Sequence, residues 1–189
     1  VGITEKDIEK YGWPIDDIYL FEVIKNLDDA DSSSIVLDLY RNVGVGKGAD
    51  QLASFSKENQ KVISIFNVAE GIASIPEFPL ERQAFNDIPV DVDNVIRRNL
   101  VGVDRKKFKL PPQFVSIPSR MVEIHQKFNN EIFDIDEQFS EGKINTIKKY
   151  SGGYTNVDSN GFQILIDYPR SNYVPKYSIE SILNKNLSK

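Results

Sequence analysis

Two short apolar segments, separated by a segment of helix length, constrain the fold of this chain more than any other feature. Residues 35–40 and 61–66 are mostly apolar over their whole length, which is the pattern of a strand buried on both faces. Between them, residues 49–58 predict a helix that buries Leu52 and Phe55. Strand, helix and strand at such short intervals are typical of βαβ units, so we expect a parallel sheet.

The remaining segments extend this pattern into one α/β domain. Further elements are predicted as a short helix at residues 5–11, a helix from Trp13-Pro14 to Leu27, a helix from an N-cap at Ser119 to residue 133, a last strand at residues 162–168, and a helix from a cap at Ser178 to about residue 184. Residues 93–103 alternate more than the other strands, so we expect that strand to be antiparallel or at an edge. Residues 70–85 and 134–160 are expected to be irregular. We predict a single domain over residues 1–189, with a mostly parallel, twisted sheet covered by helices.

Composition excludes several kinds of protein. The net charge of −5 argues against a nucleic-acid-binding protein, which usually carries a basic face. The absence of cysteine excludes disulfides and thiolate metal sites, and the single histidine excludes a histidine-rich metal site. No segment approaches the length of a membrane span, and Val1 does not begin a signal peptide. Because the chain begins inside what looks like a strand, we expect it to be excised from a longer protein.

The glycine-rich loop at residues 44–48 follows a predicted strand and precedes a predicted helix, which is the place of a phosphate-binding loop. The Walker pattern fails, because Arg41 stands where it needs glycine and Gly48 stands where it needs serine or threonine. The dinucleotide-binding fingerprint fails as well, since the glycines are spaced G-x-G-x-G. A flexible strand-to-helix connection is the favoured interpretation.

Residues 91–98 combine two carboxylates, Asp91 and Asp93, with the adjacent guanidiniums of Arg97 and Arg98. Alternation along a strand sends adjacent side chains to opposite faces, so at most one of these arginines is expected to serve any single site. The cluster can surround a cation with its carboxylates or bind an anion with its guanidiniums. Pairing of a turn carboxylate with a strand arginine is the favoured alternative.

Polar side chains near strand ends supply the candidate ligand site. Asp38 lies near the carboxyl end of its strand, where open parallel sheets bind ligands. Either it contacts a ligand or an ion, or it pairs with Arg41 or Arg97 or with loop amides. Arg170 follows the last strand and would share this edge if that strand is parallel. The candidate ligand-binding residues are Asp38, Tyr40, Arg41, Asp91, Asp93, Arg97, Arg98 and Arg170.

No catalytic constellation is found in the sequence. His125 lies on or beside the apolar stripe of its helix and is interpreted as a packed core residue, because no serine or acid is placed to partner it. Trp13, which precedes Pro14, is interpreted as a packing anchor, and the basic residues within 105–109 as a solvated loop. We predict no enzyme activity, no catalytic residue, no metal site and no cofactor.

Four parts of the chain carry a family resemblance. They are Tyr11-Gly12-Trp13-Pro14 before the first helix, the strand at 35–40 with the helix start Asp50-Gln51-Leu52, the segment Asp91-Val92-Asp93-Asn94-Val95-Ile96-Arg97-Arg98, and the closing strand and helix at 162–168 and 177–183. The third part resembles a D-x-D-G-x-x-R-R pattern. In their order and spacing, these parts resemble the second type of CHASE domain, an extracellular sensory domain of bacterial cyclases, histidine kinases and related receptors.

The chain departs from the family pattern at two places. Asn94 replaces the usual glycine, but asparagine also tolerates the left-handed conformation, so a tight turn can survive. Ile15-Asp16-Asp17 stands where the family often has an arginine shortly after Pro14, so a contact made by that arginine is not expected here.

The resemblance implies a non-enzymatic sensor domain that lies outside the cytoplasmic membrane, in the periplasm or outside the cell. Its partners would be a small-molecule or protein ligand, together with the transmembrane helices and the cytoplasmic kinase or cyclase domain of the same protein. The resemblance also leaves room for a homodimer, and no nucleic acid is expected.

Two other classes of function are compatible with the residues alone. One is a soluble α/β enzyme or binding protein that takes an anionic small molecule through the glycine loop and the arginines. The other is a purely structural module that mediates dimerisation. Nucleotide titration of a Lys47 variant tests the first, and sedimentation tests the second.

Overall fold

A computed structural model shows layers of helices around a small parallel sheet. The structure describes residues 1–105, 109–131, 134–143, 146–148, 150, 161–168 and 174–185. The described helices are α1 (Glu5–Tyr11), α2 (Asp17–Asp29), α3 (Ala49–Glu58), α4 (Ile117–Phe128), α5 (Ile135–Ser140) and α6 (Ile179–Leu183). The described strands are β1 (Ile35–Leu37), β2 (Val62–Phe66), β3 (Gln83–Phe85), β4 (Arg98–Gly102) and β5 (Phe162–Leu165), and a 3-10 turn at Leu80–Arg82 precedes β3.

Strands β1, β2 and β3 form a parallel sheet in that order. Ile35 and Leu37 point to one face, where they pack in a cluster with residues of α2, α3 and α6. Val36 points to the other face and packs with Ile63 and with Ile124 of α4. All residues of β2 are buried, as its continuous apolar segment predicts. The predicted α/β class, with helices on a mostly parallel sheet, is confirmed.

Strands β4 and β5 form a separate antiparallel ribbon, so the antiparallel character expected for residues 93–103 is confirmed. Residues 115–116 join this ribbon to the parallel sheet. The carbonyl of Val115 accepts a hydrogen bond from Phe85 N at 2.9 Å, and Ser116 N donates to the carbonyl of Val101 at 3.2 Å. One short segment therefore connects the edge strand β3 to β4.

Two strand predictions need correction. The stretch at residues 70–85 is not wholly irregular, because β3 ends it; a three-residue strand after Pro76 and Pro79 is too short to show a periodic pattern. The last strand does not join the parallel sheet but runs antiparallel to β4. The condition under which Arg170 would share an edge with Asp38 is therefore not met, and Arg170 itself lies outside the described residues.

The chemistry of the helix ends explains how α1 and α6 come together. The Thr4 hydroxyl accepts a hydrogen bond from Asp7 N at 3.2 Å, and the Asp7 carboxylate accepts one from Thr4 N at 2.8 Å, which forms a capping box. The same buried carboxylate accepts a hydrogen bond from Glu180 N at 3.0 Å in the first turn of α6. Ser178 caps α6 as predicted.

Helix α4 begins earlier than predicted. Its N-cap is Ser116, whose side chain accepts a hydrogen bond from Ser119 N. The Ser119 hydroxyl, which was expected to cap the helix, donates instead to the carbonyl of Val101 at 2.6 Å. These serines fix the start of α4 against β4.

The face of α4 that was predicted to be apolar and buried lies in solvent. Met121, Val122 and Phe128 are 38%, 41% and 49% exposed, and His125 is exposed beside them. The buried Arg120 sets this rotation, because its guanidinium donates to backbone carbonyls of two other segments. The interpretation of His125 as a core residue was therefore wrong.

Trp13 is not a packing anchor, since it is 60% exposed. The residue that packs at this entry to α2 is Ile15, which is fully buried.

No helix in the part of the chain that the structure describes is long and apolar enough to cross a membrane.

Candidate ligand-binding cleft

A cleft of about 570 Å³ opens where the parallel sheet and the ribbon face each other. One wall follows the carboxyl ends of β2 and β3, at Asn67 and Asn86. The opposite wall belongs to β4 and β5, at Arg98, Leu100 and Gln163. Open α/β folds bind ligands at the carboxyl edge of the sheet, which makes this cleft the candidate site.

Asn86 presents an oriented hydrogen-bond donor in the cleft. Its side-chain oxygen accepts hydrogen bonds from the Tyr40 hydroxyl at 3.0 Å and from Asn67 Nδ2 at 3.2 Å. Two donors on that oxygen fix the orientation of the amide. Asn67 is held in turn, because its own oxygen accepts a hydrogen bond from Glu70 N at 2.7 Å. The Asn86 Nδ2 group has no hydrogen-bond partner among the described residues.

Two carboxylates line the same wall of the cleft, and they differ in how far the protein's own hydrogen bonds already engage them. Asp87 accepts hydrogen bonds from Val68 N at 2.9 Å and Ala69 N at 2.8 Å, and so holds the loop after β2. Glu70 is exposed, and its carboxylate has no partner within the described residues. Among those residues, no group of three or more His, Asp or Glu side chains is arranged to hold a metal ion.

The buried Arg98 organises the opposite wall. Its Nε donates to Asp91 Oδ1 at 2.8 Å, and its Nη1 donates to Gln163 Oε1 at 2.5 Å. The Asp91 carboxylate also lies 2.7 Å from Arg98 Nη2, so the guanidinium charge is compensated. Among its described residues, the ribbon wall therefore does not offer an uncompensated cation to an anionic ligand.

Arg97 occupies the outer side of the same turn. Its Nη1 donates to Asp91 Oδ2 at 3.1 Å, and its Nη2 donates to Asp93 Oδ2 at 2.8 Å. The Arg97 side chain is 44% exposed and that of Arg98 is 6% exposed, which confirms that the two arginines point to opposite sides. The favoured interpretation of residues 91–98, pairing of turn carboxylates with strand arginines, is confirmed.

These ion pairs shift the pKa values of the turn carboxylates. The hydrogen bonds from Arg97 lower the pKa of Asp93 from 3.8 to about 2. For Asp91, burial acts to raise the pKa, but the hydrogen bonds from Arg98 and Arg97 outweigh it and the pKa is lowered. Both carboxylates therefore favour the ionised form more than free aspartate does.

The glycine loop at residues 44–48 folds onto the first turn of α2. Val45 N donates to Asp17 Oδ2 at 2.8 Å, and Lys47 N donates to Asp16 Oδ2 at 3.3 Å. Amides that a phosphate would use thus hold carboxylates of the chain itself. The loop is a packed connection and not the flexible one that the sequence suggested.

Gly48 shows why this loop needs glycine. Its φ of +87° lies in the left-handed region, and a side chain there would meet Ile18 Cα at 2.5 Å. The loop and α2 are this close because Ile18 N donates to the carbonyl of Lys47 at 2.7 Å.

Arg41 lies beneath the glycine loop and away from the cleft. Its Nε donates to Asp17 Oδ1 at 2.6 Å, and the two side chains are 8% and 2% exposed. Its Nη2 donates to the carbonyl of Ile15 at 3.2 Å. Of the alternatives for Asp38, pairing with Arg41 or Arg97 is not found among the described residues, where both arginines pair with other carboxylates.

The structure brings only part of the predicted site together. Arg98 lines the cleft, and Tyr40 and Asp91 hold lining residues in place by hydrogen bonds. Asp93 and Arg97 lie at the exposed side of the turn, and Arg41 is buried under the glycine loop. Asp38 lines a separate groove beside β1, and Arg170 is outside the described residues.

Sequence reasoning missed Asn67, Glu70, Asn86, Asp87 and Gln163. Asn67 follows a predicted strand directly, so the rule that selected Asp38 would have selected it too. Asn86 and Asp87 follow β3, which was not predicted. A buried glutamine inside an apolar strand is a detectable signal at Gln163, because a buried amide needs a partner.

Comparisons with known proteins support one family assignment. The family model of the CHASE2 domain matches residues 1–189. CHASE2 is a second type of CHASE domain, an extracellular sensory domain found in signalling receptors. The predicted resemblance is therefore confirmed over the whole chain. No curated protein and no solved structure matches the sequence.

Proposed function

The chain belongs to the CHASE2 domain family, and from this premise we propose that it is the extracytoplasmic ligand-recognition domain of a bacterial transmembrane signalling receptor. The domain has no enzyme activity of its own in this proposal. Its partners are the membrane-spanning helices and the cytoplasmic output domain, a histidine kinase or a nucleotide cyclase, of the same protein. The ligand binds in the cleft between the parallel sheet and the ribbon.

The oriented amide of Asn86 is the observation that carries this site. Asn86 lines the cleft and is half-buried. Here Tyr40 and Asn67 satisfy the amide oxygen, and the NH₂ group is left for a ligand. A donor that is already oriented loses little freedom on binding, so its contact adds to affinity.

The charges of the cleft favour a neutral or cationic polar ligand over an anion. Glu70 supplies an unpaired carboxylate on one wall, while Asp91 compensates Arg98 on the other. Ile88 and Leu100 add apolar surface to the lining. A small molecule with hydroxyl, amide or ammonium groups and a short apolar part fits this combination.

The position of the cleft provides a route for signalling. One wall belongs to the parallel sheet and the other to the ribbon, and residues 115–116 connect the two. A ligand that contacts Asn86 and Gln163 together favours one relative placement of the sheets. Such a preference shifts a two-state equilibrium that attached membrane helices can transmit.

The experiment is a thermal-shift screen of the domain with neutral sugars and polyols, amino acids, polyamines, dicarboxylates and nucleotides. Asn86→Asp replaces the donor by an acceptor with little change of shape. We expect a neutral or cationic compound to raise the melting temperature. A neutral compound should bind the variant about tenfold more weakly, because the new carboxylate cannot donate a hydrogen bond. Asn129→Asp, the same chemical change at the end of α4, is the control and should leave binding unchanged.

Two results would contradict this site. One is stabilisation by anions alone that is lost when Lys47 is changed, which favours a soluble anion-binding protein. The other is a ligand whose affinity is the same for wild type and Asn86→Asp.

A second candidate function, dimerisation, is favoured by the exposed face of α4. Met121, Val122 and Phe128 place three large apolar side chains on one short surface helix. We expect sedimentation to show a dimer that Val122→Glu dissociates. A monomer at all concentrations for the unchanged domain would remove this candidate.

A further inference from the structure

Strand β1 lies at an open edge of the parallel sheet. It has one strand neighbour, β2, in the sheet order. Ile35 N donates to the carbonyl of Lys61 at 2.9 Å, and Val36 stands opposite Ile63 in the register. In a parallel ladder, alternate residues of a strand bond to the same neighbour. The N–H and C=O groups of Val36 therefore point away from β2, and they have no partner among the described residues.

A groove of about 490 Å³ runs along this edge. Consecutive residues 34–39 all line it, as expected where the backbone itself is exposed. A pocket on the face of a sheet would be lined by alternate residues and by the neighbouring strand, but no residue of β2 or β3 lines the groove. Its other side is formed by Val1, Gly2 and residues of α2. The groove thus has the form of a slot beside an unpaired strand.

We propose that this groove binds an extended peptide segment of a partner protein, which adds a strand to β1. An open strand edge presents N–H and C=O groups at the spacing of another strand's backbone, and an extended peptide supplies the matching donors and acceptors. The groove runs along the side of β1, whereas the ligand cleft lies at the carboxyl ends of β2 and β3. No described residue lines both the groove and the cleft.

The side chains around the groove define the sequence of the peptide. Ile35 and Leu37 face α2, and Leu20 and Ile24 line the groove on that side. Peptide side chains that point to α2 must therefore be apolar, and they occupy alternate positions.

The end of the groove beyond β1 calls for a basic side chain. Asp38 follows Leu37 directly, lines the groove and is exposed. Its carboxylate has no partner in the described part of the chain. A cross-strand lysine or arginine beside Asp38 compensates this charge.

The probe is the peptide acetyl-Lys-Val-Thr-Val-Lys-amide, which reads the same in both directions and so brings a lysine to Asp38 in either orientation. Hydrogen exchange of the Val36 amide, followed by NMR on the isotope-labelled domain, is the readout. We expect fast exchange in the free domain and exchange about tenfold slower with saturating peptide.

Two methylated peptides test whether the contact is a strand pair. N-methylation of the central threonine blocks an antiparallel pairing with Val36, and N-methylation of the following valine blocks a parallel one. One of them should bind about tenfold more weakly than the parent and the other equally well. Asp38→Asn should weaken binding about threefold for the lysine peptide. It should have no effect on a peptide with glutamine in place of both lysines.

Val36→Pro removes the outward N–H while the bonds of Ile35 and Leu37 to β2 remain. It should weaken peptide binding at least tenfold with the domain still folded. Three results overturn the proposal: slow exchange of the Val36 amide in the free monomer, equal binding of both methylated peptides, and protection of Val36 that appears only with dimerisation in sedimentation. The last result would assign the edge to a second copy of the chain.

Discussion

Two aspartate–arginine clusters of this molecule use the same chemistry in different surroundings. Asp17 and Arg41 form a pair that is almost wholly buried and that ties the glycine loop to α2. At residues 91–98 the exposed Arg97 pairs with Asp91 and Asp93, and the buried Arg98 in the cleft wall pairs with Asp91. Burial separates their roles. Breaking a buried pair leaves an uncompensated charge in the interior and strongly destabilises the fold, whereas an exposed pair contributes little to stability. The sequence presents Arg41 of the first cluster and the four charged residues of the second as candidate site residues, and the structure places the second cluster beside the ligand cleft.

The largest effect should come from breaking the buried pair. Asp17→Asn leaves Arg41 without its counter-charge in the interior and weakens the acceptor for Val45 N. We expect the free energy of unfolding to fall by about 3–5 kcal/mol. Urea denaturation followed by circular dichroism measures this change.

The neighbouring Asp16 supplies the matched control for that substitution. Its contact with Lys47 N is exposed and 3.3 Å long, so Asp16→Asn should cost less than about 1 kcal/mol. Equal losses for Asp16→Asn and Asp17→Asn would show that burial of the ion pair is not what distinguishes this cluster.

A substitution in the glycine loop tests whether the loop is packed against α2. Gly48→Ala combines a left-handed φ with a contact of 2.5 Å to Ile18 Cα, so it should cost about 2–3 kcal/mol. Gly71 has a φ of +65° with no atom within 4 Å, so Gly71→Ala carries the backbone strain alone and should cost about 1 kcal/mol. Thermal unfolding of both variants gives the comparison, and a loop that is flexible would make them equal.

The two arginines of the second cluster should contribute unequally to the free energy of unfolding. Arg98→Met removes the donors to Asp91 and to the buried Gln163, and should cost about 2 kcal/mol of unfolding free energy. Arg97→Met removes an exposed pair and should lower the free energy of unfolding by much less than Arg98→Met does. Denaturant titration of the two variants measures the difference. A larger loss of unfolding free energy for Arg97→Met than for Arg98→Met would contradict the placement of Arg98 as the buried arginine and Arg97 as the exposed one.

The smallest effect is a dependence of stability on acid pH. Because the folded pKa of Asp93 is about 2 and its ordinary value is 3.8, ionised Asp93 stabilises the fold above about pH 4. This contribution is lost as the pH falls from about 4 to about 2. Urea midpoints of wild type and Arg97→Met across this range should converge at low pH. A constant difference between them would contradict the Asp93–Arg97 pair as its source.

The parts of the fold that were predicted correctly depend on local patterns. Continuous apolar segments identify β1 and β2, and a serine at the right distance identifies the start of α6 at Ser178. The pairing within residues 91–98 follows from opposite charges close together in one turn.

The parts that were missed depend on contacts between distant segments. The rotation of α4 is set by Arg120, which reaches the carbonyls of Gln83 and Pro112. Helical periodicity alone assigned the buried face to Met121 and His125 instead. The Asn86 donor is oriented because Tyr40 and Asn67 both donate hydrogen bonds to its side-chain oxygen. No local sequence pattern predicts such a contact between distant segments.

The most direct test of the account is an NMR titration of the domain, labelled at asparagine and at backbone amides, with the compound that most raises its melting temperature. The account predicts that the Asn86 side-chain NH₂ signals shift on binding, while the backbone amides of Val45 and Lys47 in the glycine loop stay in place. Shifts confined to the glycine loop, with Asn86 unchanged, would contradict the cleft as the ligand site and would reopen the anion-binding alternative.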